Sequence, residues 1–192
     1  PDTVSSLKAK LFYAVFHSVS AFCNAGFSLF NNSLGVFSDN AFVLGIFSLL
    51  ILLGGIGFPV IFELYHRYFL GDRSRLKLQT RMALFVTMFL VVIGLVVIYF
   101  QSIFSVSMPV SEALFHSVSS RTAGFSVQDI AGYSASSLWF ILLLMFIGAS
   151  PGSTGGGIKT TTFGLLIVSL FNTIRGHDRV HVFDRHVKSN LI

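Results

Sequence analysis

Charged residues are scarce in this chain. Asp, Glu, Lys and Arg make up 11% of its 192 residues, whereas hydrophobic residues make up 53% and mean hydropathy is +0.78. Because soluble domains carry about a quarter charged residues, this composition predicts an integral membrane protein. The net charge of +5 does not indicate a nucleic-acid site, since the basic residues lie between apolar spans, as in cytoplasmic membrane loops.

Cysteine is nearly absent as well. The single residue, Cys23, excludes an intrachain disulfide framework and a cysteine metal cluster. The sequence also lacks the basic segment, apolar segment and cleavage site of a signal peptide, so we predict none. Phenylalanine, by contrast, is abundant, which suits lipid-facing and helix-packing surfaces but does not discriminate between functions.

One short motif occurs twice. The sequence F-H-S-V-S-A-F-C-N-A-G-F-S at residues 16–28 returns as F-H-S-V-S-S-R-T-A-G-F-S at residues 115–126. In each copy, an amphipathic run too short to cross a bilayer precedes a glycine that lets the backbone turn its carbonyls towards a ligand. Irregular backbone at membrane depth needs protein cover or a wet cavity. The pattern therefore predicts two re-entrant helices, each followed by a selectivity filter.

Apolar spans surround the two motifs. One covers about residues 41–65, another about 82–100, and the last is interrupted at 148–159. The basic segments at 66–81 and 177–188 should both be cytoplasmic. We divide the chain into a pore loop and second helix of one repeat (1–66, its first helix missing), a cytoplasmic basic linker (67–81), a complete helix–pore loop–broken helix repeat (82–174) and a cytoplasmic linker to the next repeat (175–192).

The filters N-A-G-F at 24–27 and T-A-G-F at 122–125, with the glycine-rich break between the last apolar segments, resemble the Trk/Ktr/HKT superfamily of potassium transporters. The likeness is strongest to bacterial Ktr (KtrB-like) membrane subunits and covers roughly their second and third repeats. It implies an all-α integral membrane fold of potassium-channel-type helix–pore loop–helix units, with a pseudo-fourfold arrangement in the full protein. Successive units keep one orientation, so they should be related by rotation about the membrane normal.

The resemblance also implies the biological setting. It indicates potassium uptake in the bacterial plasma membrane by a multi-pass protein that is not an enzyme. No covalent cofactor is implied; K+ is the transported ion and Na+ a candidate coupling ion. The implied partners are membrane lipid, a second copy of the full-length subunit and cytoplasmic nucleotide-binding regulatory subunits of the KtrA/TrkA kind.

The filters are predicted to bind potassium through backbone carbonyls, whose dipoles replace the hydration shell of the ion. The alternative is a pair of glycine turns that end buried helices, but this does not account for the duplication. Each filter has one glycine where tetrameric channels have two, which leaves sodium permeation open. The predicted ligands are the carbonyls of Asn24, Ala25, Gly26, Phe27, Thr122, Ala123, Gly124 and Phe125.

The break at 148–159 is predicted to be a gate loop, because the family's loop at this place gates the cavity. Its glycines and hydroxyl side chains cannot maintain a regular helix, although a kinked, tightly packed helix is the alternative. Lys159 lies at the end of this break, and placing a lysine at the bilayer centre costs about 2.5–3.5 kcal/mol of insertion free energy. Its side chain must therefore face a cavity, find a partner or snorkel to the interface. The shorter break at 54–59 is interpreted as a packing kink. The gate-loop residues are Gly148, Ser150, Pro151, Gly152, Ser153, Thr154, Gly155, Gly156, Gly157 and Lys159.

Three other residues stand out near the filters. His17 and His116 occupy equivalent positions, where packing with a hydrogen bond is favoured over a proton relay or metal site. Arg121 has no counterpart in the first copy, and a cation in a potassium path would repel the ion. We expect it to point away from the pore, with Glu112 or Asp129 as its partner.

Two other functions remain as alternatives. The glycines before Lys159 superficially resemble a phosphate-binding loop, but that motif needs lysine directly after glycine and a preceding strand, whereas Ile158 intervenes here. A non-conducting membrane assembly subunit, whose broken helices serve docking, is the other alternative.

Overall fold

The computed structural model describes residues 6–71, 74–103, 108–129, 132–175, 180–182 and 185–187. These residues form seven helices, a 3₁₀ turn at Gly35–Phe37 and two short antiparallel strands. The helices are α1 (Leu7–Phe22), α2 (Ala41–Ile56), α3 (Phe58–Phe69), α4 (Leu78–Ser102), α5 (Val110–Ser119), α6 (Ala135–Phe146) and α7 (Thr160–Ile174), and the strands are β1 (Val180–Val182) and β2 (Arg185–Val187). The helical prediction is confirmed, but the sequence analysis did not foresee the hairpin in the tail.

One helix among the described residues is by itself long and apolar enough to cross a membrane. This is α4, with 25 residues and a mean hydropathy of 2.8 in its most apolar window. Helices α2 and α3 pass the same test only as a pair, and they bend by 97° at their junction. Helices α6 and α7 are apolar but shorter.

The apolar stretch at 41–65 is therefore not one straight span, and it bends within the predicted break at 54–59. Gly57 ends α2 with φ +91° and ψ 145°, a backbone conformation that breaks the helix. Pro59 lies in the first turn of α3, where its missing N–H has no helical partner to lose. The two residues together end one helix and begin another in a new direction.

Helix α5 packs against both α2 and α4 and is the most enclosed element of the fold. Phe115 and Val118 on α5 are fully buried. On its α4 side, Ser117 Oγ donates to the Val91 carbonyl at 2.8 Å. Gly94 permits this close approach, since a Cβ there would collide with the Ser117 hydroxyl. This packing holds the second predicted filter in the interior of the fold.

Candidate functional site: the paired filter loops

The structure brings the two predicted filters into backbone contact. A Cβ on Gly26 would lie 2.6 Å from the Ala123 carbonyl oxygen and 3.0 Å from the Gly124 Cα. A Cβ on Gly124 would lie 3.5 Å from the Gly26 Cα. Only glycine at position 26 fits so close an approach. The loops after α1 and α5 therefore meet glycine to glycine.

The two loops share an unusual backbone pattern. Left-handed conformations occur at Asn24 (φ 51°) and Gly26 (φ 70°), and at Thr122 (φ 74°) and Gly124 (φ 82°). For a β-branched residue such as Thr122, a positive φ is an outlier that the surrounding structure must enforce. Alternation of backbone handedness turns successive peptide groups towards one side of the chain. Each loop can therefore present a row of peptide groups to a ligand.

Helices α1 and α5 are the two predicted re-entrant helices, called the pore helices below. A serine of each pore helix holds the end of the loop that follows it. Ser20 Oγ donates to the Phe27 carbonyl at 2.8 Å, and Ser119 Oγ donates to the Phe125 carbonyl at 2.5 Å. Both serines belong to the repeated F-H-S-V-S motif, a signal that was available in the sequence but was not used to assign them a function. The hydroxyls tie the two phenylalanine carbonyls to the pore helices.

An open crevice of about 470 Å³ runs beside the filters. Its lining includes Asn24, Ala25, Thr122 and Gly124, so both loops border the same space. The crevice is lined mainly by apolar surface and main chain, and it is wide enough for several water molecules.

The predicted gate loop is a closed, hydrogen-bonded turn between α6 and α7. Ile147 and Ile158 form a parallel bridge at its neck, where the Gly148 N–H donates to the Ile158 carbonyl at 3.1 Å. Above the neck, the Ala149 N–H donates to the Gly156 carbonyl at 3.0 Å. A Cβ on Gly148 would collide with that same Gly156 carbonyl. The segment is thus a pinched loop rather than a kinked helix.

The loop docks on the break between α2 and α3. The Ser150 N–H donates to the Gly55 carbonyl at 3.0 Å, and the Phe58 N–H donates to the Gly152 carbonyl at 3.0 Å. Gly57 faces Pro151, whose carbonyl oxygen would lie 2.6 Å from a Cβ on Gly57. The break at 54–59 is thus a packing site that supplies main-chain partners to the loop.

Lys159 finds a partner inside the loop. Its half-buried side chain reaches back, and Nζ donates to the Gly155 carbonyl at 2.8 Å. Beside it, the buried Ser150 hydroxyl lies 2.9 Å from the hydroxyl of Thr160, the first residue of α7. The sequence left a cavity, a partner or snorkelling open for Lys159, and in the structure Lys159 has a hydrogen-bonded partner.

His17 is hydrogen-bonded at both ring nitrogens. Nδ1 lies 2.7 Å from the Tyr13 carbonyl, and the Leu29 N–H donates to Nε2 at 3.2 Å. Because Nε2 accepts from this N–H, Nδ1 is the ring nitrogen that can donate to the Tyr13 carbonyl. The ring also stacks on Phe30, with centroids 4.8 Å apart. This agrees with the packing interpretation, and the described residues contain no group of three side chains suited to a metal.

His116 lies in a buried polar cluster of the second repeat. Its Nε2 is 3.0 Å from the Tyr133 hydroxyl and 3.6 Å from Glu112 Oε1. Tyr133 belongs to the segment between the second filter and α6. Burial and, after it, the charge of Glu112 raise the pKa of Tyr133, so its hydroxyl stays protonated. The cluster links α5 to the segment that follows the second predicted filter.

Arg121 is buried beside α4, and its predicted partners are wrong. Nη1 donates to the Thr87 carbonyl of α4 at 3.5 Å. Within the described part of the chain, no ion pair joins it to Glu112 or Asp129. Glu112 lies in the first turn of α5 whereas Arg121 follows its last, a separation of roughly 13 Å along the helix. The side chain does point towards the helices, as expected for a cation kept out of an ion path.

A family model described as "TrkH: Cation transport protein" matches residues 3–192. The potassium/sodium uptake protein NtpJ of Enterococcus hirae is 33% identical over 191 residues, which cover 95% of this chain and 41% of that protein. The Ktr system potassium uptake protein D of Bacillus subtilis is 38% identical over 188 residues, which cover 91% of this chain and 40% of that protein.

The fold has a counterpart among crystal structures. The potassium transporter TrkH from Vibrio parahaemolyticus matches with a TM-score of 0.68 at 26% identity, covering 86% of this chain and 36% of that chain. This chain spans about two fifths of the length of the curated relatives described above. With the duplicated motif, the pinched loop and these matches together, the chain belongs to the TrkH family of cation transport proteins.

Proposed function

We propose that this chain forms the second and third of four repeats around a potassium uptake pore. The observation that carries the proposal is the backbone contact between Gly26 and Gly124, which makes both filters border one crevice. The relatives named potassium uptake proteins support the identity of the ion. In the full protein, a pseudo-fourfold rotation about the membrane normal would add two further filter loops to these.

Potassium entering from outside would exchange water for filter carbonyls. An ion is held by several carbonyl dipoles at once, strongly enough to enter and weakly enough to leave. The carbonyls of Phe27 and Phe125 already accept a serine hydroxyl, so they contribute less than the others. The main ligands are then the carbonyls of Asn24, Ala25, Gly26, Thr122, Ala123 and Gly124. No covalent bond changes during transport, so the function is not enzymatic.

The loop at 148–159 would close the pathway on the inner side of the filters. It docks by main-chain hydrogen bonds that can break and re-form, and its glycines permit a second conformation. Lys159 adds a positive charge, which repels a cation when the loop is in place.

The wider setting follows the family. Two relatives bear names from a "Ktr system", which implies more than one component. We infer a homodimer of the full-length subunit in the bacterial plasma membrane, crossing it several times and resting on cytoplasmic regulatory subunits that bind nucleotides, of the KtrA/TrkA kind. The name of NtpJ includes sodium, which keeps sodium coupling or permeation within the proposal.

The proposal is tested by Gly124→Ser in the full-length protein that contains this chain, expressed in a bacterium without its own potassium uptake. A Cβ at φ 82° strains the filter, so the preference for potassium over sodium should fall. Gly71→Ser is the matched control, because Gly71 also has a positive φ (72°) but lies in open space outside the filters. An unaltered preference in Gly124→Ser would remove the glycine from the filter. A wild-type protein that inserts but takes up no rubidium would favour the non-conducting assembly subunit.

A further inference from the structure

Thr154, at the tip of the loop at 148–159, is bonded to the filter of the other repeat. Asn24 Nδ2 donates to Thr154 Oγ1 at 2.8 Å, and Thr154 Oγ1 donates to the Phe22 carbonyl at 3.0 Å. A hydroxyl has one proton and can also accept, so the two bonds are compatible and their directions are fixed. The Thr154 N–H donates to the Gly54 carbonyl at 3.2 Å.

The atoms that Thr154 contacts lie at the end of α1 and at the start of the first predicted filter. Phe22 is the last residue of α1, where helix carbonyls lack intrahelical partners. Asn24 begins the first filter in a left-handed conformation. The approach depends on Gly54, since a Cβ there would collide with the Phe22 carbonyl. One hydroxyl thus joins the first pore helix, the first filter and the loop.

We propose that Thr154 is a positioning residue that couples the loop to the first filter. This inference rests on the gate proposed above. For the loop to leave its docked position, the Asn24 amide and the Phe22 carbonyl must both lose their bond to the hydroxyl. In this coupling, the docked loop raises the ion affinity of the filter by some factor, and by linkage a bound ion favours the docked loop by the same factor. Loss of the hydroxyl should therefore raise flux and weaken potassium binding together.

The test compares two substitutions at one position in the full-length protein. Thr154→Val keeps the shape and removes the hydroxyl, whereas Thr154→Ser keeps the hydroxyl. We expect Thr154→Val to raise both the maximal rate of rubidium uptake and its KM by about three- to tenfold, the factor that one or two lost hydrogen bonds produce. Thr154→Ser should stay close to wild type. Rates are normalised to the amount of inserted protein.

Ser153→Ala is the control for a general loosening of the loop. The Ser153 hydroxyl donates only within the loop, to the Ser150 carbonyl at 2.5 Å, and does not reach the filter. Its loss should shift the KM for rubidium less than Thr154→Val does. If Ser153→Ala and Thr154→Val shift the KM equally, the effect belongs to the loop in general and the coupling through Thr154 is wrong.

Two further variants separate this inference from the gate itself. Deletion of residues 152–157 should raise uptake if the loop is a gate. If the deletion raises uptake but Thr154→Val changes neither rate nor KM, the coupling fails and the gate stands. If the deletion leaves uptake unchanged in a protein that inserts normally, both fail. Should Thr154→Val not insert, Thr154→Ala decides, because it also removes the hydroxyl that binds Asn24 and Phe22 and adds no charge to the filter; an unchanged KM there overturns the coupling.

Discussion

At the scale of single residues, the predicted filter loops are held by serine hydroxyls rather than by charged side chains. Ser20 and Ser119 each tie a phenylalanine carbonyl back to the pore helix that precedes it. A neutral hydroxyl can restrain a carbonyl beside a cation path without adding a charge that repels or traps the ion. Arg121, which directly precedes the second predicted filter, turns its side chain to α4 instead.

Ser119→Ala should reduce the preference of the full-length protein for potassium over sodium. The substitution leaves the Phe125 carbonyl without its hydroxyl partner and loosens the second filter. Ser117→Ala is the matched control, since Ser117 is also buried on α5 but donates to Val91 of α4, away from the filter. Each loss should lower stability by about 1–3 kcal/mol. Competition of sodium with rubidium uptake is the measurement, and equal selectivity in both variants would contradict the assignment.

The sequence predicted some of these residues and missed others for a clear reason. The duplicated motif predicted equivalent turns at Gly26 and Gly124, and the structure brings these two glycines into backbone contact. It did not predict the bond between Thr154 and Asn24, which depends on how one repeat docks on the other. Nor did it predict the partner of Arg121, since charge matching along the sequence ignored the length of α5.

At the scale of elements, the close packing of α4 on α5 positions the second filter. Gly94→Ala should lower the melting temperature of the purified protein, because the added Cβ collides with Ser117 and disturbs its bond to Val91. Overpacking of this kind costs about 1–3 kcal/mol. Gly45→Ala on α2 is the control: it gains the same helix propensity, and its Cβ meets no atom. Equal melting temperatures would show that the contact does not constrain the packing of α5.

The limits of hydropathy are also visible at this scale. The span expected at 82–100 corresponds to α4, which extends a few residues further at each end. The stretch at 41–65 is as apolar as a single span, yet it bends by 97°. Hydropathy reports which residues avoid water, whereas the bend comes from the positive φ of Gly57 and from the loop docked against it. The average hydropathy of the stretch predicts neither the φ of Gly57 nor the docking of the loop.

For the molecule as a whole, large apolar side chains remain on the outside. Phe42 is 77% exposed, Trp139 74% and Leu7 72%. Apolar surface on this scale needs lipid or further protein to cover it. In the proposed pore, lipid covers one part of this surface and the other two repeats cover the rest. In that pore, the described residues would form two of the four filter loops and the loop beneath them.

The most direct test locates the ion itself. Crystals of the full-length protein grown in rubidium should show anomalous density between the carbonyl rows of residues 24–26 and 122–124. Density there would identify the paired loops as the ion-binding filter. Rubidium found only elsewhere, in a protein that still transports it, would contradict the account.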